Sequence, residues 1–253
     1  MIADDLGHEL ALPRPACRVV SLVPSLTEAV ASTRPDALVG ATEWCTHPAE
    51  LDVPRVRGTK NPDIAAIAAL EPDLVIANKE ENRELDVRRL RAAGVAVWVT
   101  DIRTVPGALR SMRRLFTVAL RWEVPAWLDD ASAIWAGTTP AATRPVAIAI
   151  WRDPWMVVGS DTFTGDLAAR IGLRNVFADS PERYPHTTPA EILRRGAGLV
   201  VLPDEPYVFT ADDGPEAFPG AATALVEGRL LTWYGPSLLT AYGRLRAAFS
   251  DSP

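Results

Sequence analysis

Two stretches of this chain echo each other, and that echo constrains the fold more than anything else in the sequence. Residues 67–77 end in Leu-Glu-Pro-Asp-Leu-Val-Ile-Ala, and residues 192–202 end in Arg-Gly-Ala-Gly-Leu-Val-Val-Leu. Each reads as the end of a helix, a short connection and a fully apolar strand. A continuous apolar run of this length suits a strand covered on both faces, the habit of parallel sheets whose crossovers are helices. The same rhythm runs through each half. Strands are predicted at 18–22, 38–42, 74–77 and 95–99, then at 146–150, 199–202 and 230–232. Helices are predicted from Ser25, where Ser25-Leu-Thr-Glu28 has the form of a capping box, from Asn61, over 81–93 and over 105–120, and from Pro125 to about Gly137. Further helices follow over 162–171, from Thr188 and from Ser237. The expected fold is therefore α/β. Two similar lobes joined by helix are expected, with a leader at 1–16, an N-terminal lobe at 17–104, bridging helices and linker at 105–144 and a C-terminal lobe at 145–253.

Composition removes several classes of function. A formal net charge of −6 argues against a general nucleic-acid binder, which needs a basic face. No run is long and apolar enough to insert in a membrane. The two cysteines, Cys17 and Cys45, form no CxxC pair and imply no disulfide framework. The start of the chain, with Asp4 and Asp5, lacks the basic and then apolar order of a secretory signal, so the expected location is cytoplasmic.

In open α/β sheets ligands bind beyond the carboxyl ends of the strands. Those ends are loaded here. They carry Glu43, Trp44, Cys45 and His47 after the second strand, and Lys79, Glu80 and Glu81 after the third. The second half adds Trp151-Arg-Asp-Pro-Trp155, Glu205 with Tyr207 and Phe209, and Trp233 with Tyr234. The expected ligand-binding set is Trp44, Lys79, Glu80, Trp151, Arg152, Asp153, Trp155, Glu205, Tyr207, Phe209, Trp233 and Tyr234, lining an aromatic cleft between the lobes. Rings with a few polar groups suit a large organic ligand, and Arg152 and Asp153 are expected to orient it. Cys45 and His47 alternate with Glu43, and with His186 they form a candidate metal set. Against it stands the reading of Cys45 as a packed small hydrophobe and His47 as a loop residue. No Gly-x-Ser-x-Gly elbow, His-Glu-x-x-His motif or glycine-rich phosphate loop is present, so no catalytic residue is assigned.

Several segments resemble one family. These are Arg18-Val-Val-Ser-Leu-Val-Pro-Ser-Leu-Thr-Glu28, Leu38-Val-Gly-Ala-Thr42, Asn61-Pro-Asp63 with Leu70-Glu-Pro-Asp-Leu-Val-Ile-Ala77, and Asn175-Val-Phe-Ala-Asp179 with Tyr184-Pro185. They resemble the helical-backbone metal receptors, the cobalamin- and siderophore-type substrate-binding proteins of ABC importers (class III, periplasmic-binding-protein-like). The resemblance spans roughly residues 18–248. It implies an α/β fold of two Rossmann-like lobes with parallel sheets bridged by a rigid helical backbone, no enzymatic activity, no required cofactor, and cobalamin or another metal chelate as ligand, with Trp44 and the 151–155 loop at ring-contacting positions. It also implies permease docking through one acid on each lobe, but Ala65 and Ala190 stand at those places, with Glu191 one residue off. Two alternatives stay open: the binding component of an importer for cobalamin or iron-siderophore, and a metal-dependent enzyme using Cys45, His47 and His186.

Overall fold

The computed structural model describes residues 1–138 and 143–250. The chain divides into two compact units. The first comprises 1–102, 109–131 and 234–236, and the second 103–108, 132–233 and 237–253. The chain passes between them three times in the helical stretch, at 102/103, 108/109 and 131/132, and again at 233/234 and 236/237. Within the expected bridging region and linker at 105–144, residues 139–142 lie outside the described residues, and Arg144 already belongs to a strand.

In the first unit, β1 (Ile2–Ala3) and β2 (Glu9–Leu10) form a small antiparallel hairpin. The main sheet follows from β3 (Val19–Ser21), α1 (Pro24–Ala31), β4 (Leu38–Ala41), the two-residue pair β5 (Arg57–Gly58) and β6 (Asn61–Pro62), α2 (Ile64–Ala69), β7 (Leu74–Asn78), α3 (Glu84–Ala92) and β8 (Val97–Thr100). Its order is β4-β3-β7-β8, all parallel, as helical crossovers demand. Every residue of β7 is buried. Val20, Leu22, Ile67, Val75, Leu90 and Val99 pack into one core. Asp63 caps α2 by accepting from the Ala66 amide, and Gly94 adopts φ +80° after α3, where a left-handed residue ends a helix. The capping box expected at Ser25 does not form. Pro24 already occupies the first turn, Val23 is the cap residue without a side-chain bond, and Ser25 and Glu28 are both buried.

Next come α4 (Val105–Arg114), a π-helical continuation at Leu115–Leu120, and α5 (Ala126–Ala136). The second unit then builds β9 (Arg144–Trp151), β10 (Met156–Val157), α6 (Phe163–Arg170), β11 (Leu173–Asn175), α7 (Pro189–Arg194), β12 (Leu199–Pro203), β13 (Ala222–Val226), α8 (Arg229–Thr232) and α9 (Leu238–Ser250). The sheet order is β10-β9-β12-β13, with β11 also on β9, and only β10 runs antiparallel. Ile192 and Val200 occupy its core as Ile67 and Val75 do in the first unit, so the sequence echo is structural. Thr188 caps α7 through the Glu191 amide. The strand expected at 230–232 is a one-turn helix instead, and the last strand lies earlier, at β13. Two adjacent leucines fit a short buried helix as well as a strand, and pattern alone does not separate them.

Residues 1–16, expected as a loose leader, are part of the first unit. Asp4 is buried and accepts from the amides of Leu6 and His8 and from Arg91. Asp5 receives Ser111 and Arg114. Among the described residues no helix is long and apolar enough to cross a membrane.

Candidate functional site

At the exits of the first sheet the turn after β4 sends its side chains to different places. Trp44 is 66% exposed. Its indole sits over Gly58, where an added Cβ would lie 3.2 Å from Nε1 and 2.6 Å from the Asn61 side chain, so the ring needs a glycine beneath it. Cys45 turns inward and is fully buried. Its Sγ lies 3.0 Å from the Thr27 hydroxyl and 3.1 Å from that of Thr42. Burial pushes its thiol above the usual range, outweighing those hydroxyls. His47 is half-buried, with Nδ1 3.1 Å from the Thr46 hydroxyl. The segment is a turn rather than a strand, so Glu43, Cys45 and His47 do not share a face. Among the described residues no group of three or more His, Cys, Asp or Glu side chains gathers as a metal site, and His186 belongs to the second unit. The expected Cys45, His47 and His186 set is therefore not assembled. Since Cys17 is exposed and Cys45 enclosed, a thiol reagent is expected to label one equivalent in the native protein and two after denaturation. Two fast native equivalents would contradict the burial of Cys45.

After β7, Lys79 pairs with Asp101 at 3.0 Å. Glu80 donates its amide to the Asn78 side chain, and its carbonyl receives Lys60. Tyr234, counted with this unit, is buried and donates to Glu81 at 2.9 Å. Burial and the neighbouring Glu81 carboxylate hold its phenol well above the ordinary range, so it is a structural donor and not the exposed ring expected.

The second unit divides the 151–155 pentapeptide. β9 and β10 form a hairpin with Met156 opposite Trp151, and the turn carries Trp155 back beneath the sheet. Trp155 is 8% exposed and stacks on Phe209, with centroids 5.7 Å apart and planes at 16°. Both rings, with Phe218, belong to the unit's core rather than to a ligand surface. Trp151 remains 43% exposed, edge-on to Tyr207 at 5.6 Å. Arg152 is engaged by Asp213 and Glu216 and lies over the Trp155 ring at 5.6 Å. Asp153 points to solvent, with a left-handed φ of 56°. Trp233 is buried beneath the Arg229 guanidinium, because the strand that would have aimed it outward is the helix α8.

Glu205 is half-buried and accepts from Thr232 at 3.0 Å. Burial raises its carboxyl above the ordinary 4.5, more than the Thr232 and Trp233 hydrogen bonds lower it. The folded state then holds this proton more tightly than the unfolded chain, so its contribution to stability is full below the ordinary value and is lost as pH rises through the raised one. Glu205→Gln keeps an oxygen for Thr232. It is expected to raise the unfolding midpoint at neutral pH and to leave it unchanged near pH 4, and equal midpoints at both pH values would contradict this. Local pattern did not reveal Asp213, Glu216 or Gly58, because each acts on a residue distant in sequence or by lacking a side chain. The Asp213-Gly214 turn signal with Glu216 close behind was the one hint.

No family model matches the chain. A vitamin B12-binding protein of Pectobacterium carotovorum is 27% identical over 206 residues, 78% of this chain and 73% of the relative. One from Vibrio cholerae is 27% identical over 191 residues, covering 73% and 69%. The solved periplasmic vitamin B12-binding protein of Vibrio cholerae superposes with a TM-score of 0.74 at 19% identity, over 94% of this chain and 98% of that one. A periplasmic haem-binding protein from Roseiflexus gives 0.74 at 21%, over 92% and 98%. These periplasmic proteins overturn the cytoplasmic expectation. That expectation rested on the missing basic-then-apolar order at residues 1–10, where Asp4 and Asp5 are instead engaged by Arg91 and Arg114. Sequence and fold together make the chain similar to vitamin B12-binding proteins, in keeping with the resemblance that residues 18–28 and 70–77 carry, and the solved periplasmic neighbours share its fold.

Proposed function

We propose that the chain is a non-enzymatic receptor whose cargo is a metal-bearing macrocycle, a cobalamin-like corrinoid or a comparable metal chelate. The observation that carries this reading is the placement of its exposed tryptophans. Of the eight in the chain only Trp44 and Trp151 are exposed, and each stands at a strand exit of its own unit. Solvent-facing indoles at ligand-binding strand ends are otherwise hard to account for, because a large ring in water gives up its packing energy. The names of the relatives support the same class of cargo. The macrocycle is ligand and not cofactor on this reading, in line with relatives that are vitamin B12- and haem-binding proteins. Titration with cobinamide, cyanocobalamin, haemin and a ferric siderophore, followed by tryptophan quenching and visible absorption, tests it. Saturable binding of at least one is expected, and no binding of any at tens of micromolar overturns the proposal.

Delivery to a membrane importer is the favoured use, because the solved neighbours are periplasmic. Ala65 and Ala190 are exposed and offer no charge, and Glu191 is occupied by Arg194 and Arg195. Docking on this reading does not rest on acid pairing at those places. Loss of labelled ligand uptake in a strain lacking the protein is expected, and unchanged uptake excludes the delivery role.

A further inference from the structure

We propose that Arg152 is a positioning residue for Trp151, locking the ring in place from behind without touching the ligand. The proposal rests on the reading that Trp151 meets the cargo. Arg152 leaves the end of β9 directly after Trp151, and its guanidinium reaches two carboxylates on the segment that follows β12. Asp213 Oδ1 and Glu216 Oε1 both accept from Nη1. The pairing is reinforced from the far side. Asp213 Oδ2 accepts the Tyr207 hydroxyl at 2.6 Å, and Glu216 Oε2 accepts the Gly214 amide at 2.5 Å. Tyr207 in turn presents its ring edge-on to Trp151 and lies 4.7 Å from Phe209. A closed chain therefore runs from Trp151 along the backbone to Arg152, through Asp213 to Tyr207, and back to the Trp151 ring.

Two features make this a fixed device. Gly214, at φ +130°, brings the loop so close that a Cβ would lie 2.8 Å from Phe209 and 3.2 Å from Leu202, which seats the segment on the core. Below Arg152 lies the buried Trp155 ring, so the guanidinium is held between an aromatic face and two carboxylates. With its charge met there, Arg152 has little left for a ligand. A lysine could supply the charge but not the flat guanidinium that lies over Trp155.

The test uses the full chain labelled with fluorotryptophan, with the Trp151 resonance assigned by Trp151→Phe, and cobinamide as the probe ligand. Arg152→Ala is expected to move the Trp151 fluorine resonance and to weaken cobinamide binding about tenfold, in the range of coupling between residues of one network. Added to Trp151→Ala it is expected to weaken binding no further, and Arg152→Lys recovers part of the loss. Should Arg152→Ala fail to fold, Tyr207→Phe keeps the ring, removes only the Asp213 link, and is expected to move the same resonance. An unmoved Trp151 resonance in the folded variant overturns the proposal, as do fully additive losses, which would mean that Arg152 meets the ligand itself. If the unmodified protein binds no cobinamide, the functional reading is what fails, and the resonance still decides the role of Arg152.

Discussion

Trp44→Ala and Trp151→Ala are each expected to weaken cargo binding by about thirtyfold, roughly 2 kcal/mol, the loss typical of truncating an aromatic anchor. Their unfolding midpoints are expected to stay close to that of the parent. The separation follows from burial. At 66% and 43% exposure these rings contribute little to either core, and surface substitutions usually change stability by no more than about 0.5 kcal/mol. Trp155→Ala should behave in the opposite way. It removes a ring stacked on Phe209 and packed on Phe218, and a buried tryptophan cut to alanine costs roughly 3–5 kcal/mol. Isothermal titration beside thermal unfolding of the three variants distinguishes them. Trp44 and Trp151 variants with parental affinity would remove the main support for the receptor reading, and a Trp155 variant of full stability would contradict the core assignment.

What the sequence showed and hid follows from the range of each interaction. Ile67, Val75, Ile192 and Val200 were legible because a parallel strand buried on both faces leaves an unbroken apolar run. The tryptophans at the ends of β4 and β9 were visible because an aromatic residue close to the end of an apolar run is a local signal; Trp44 lies three residues past β4 and Trp151 is the last residue of β9. Which ring faces water was not. Trp151 and Trp155 are separated by a tight hairpin that reverses the chain, and a loop reading cannot tell the ring on the strand from the ring tucked under it. Trp233 was misplaced because Leu230 and Leu231 were read with the wrong period. The partners of Arg152 were hidden, because Asp213 and Glu216 lie 61 and 64 residues away and only the folded chain brings them together. The metal set failed on a shorter scale. One turn after β4 was enough to point Cys45 inward, between the Thr27 and Thr42 hydroxyls.

The largest single stability effect outside the cores is expected at Asp4. Its side chain is wholly shielded from solvent and meets Arg91 at 2.9 Å. It also accepts from the Leu6 and His8 amides at 3.0 and 2.8 Å and from Val99 at 3.3 Å. One carboxylate therefore closes the β1–β2 hairpin and fastens it to the edge strand β8. Removing one partner of a buried ion pair leaves the other uncompensated, at roughly 3–5 kcal/mol. Asp4→Ala is therefore expected to cost about 3 kcal/mol and to lower the unfolding midpoint by about 6–12 °C, at roughly 2–4 °C per kcal/mol for a chain of this size. Asp4→Asn keeps Oδ1 for the two hairpin amides and loses the acceptor that Oδ2 offers Arg91 and Val99, so it should fall between. An unchanged midpoint in Asp4→Ala would contradict the anchoring of residues 1–16 to the first unit. The expected drop makes them part of the folded unit, present for the sheet they pin and uninformative about the compartment.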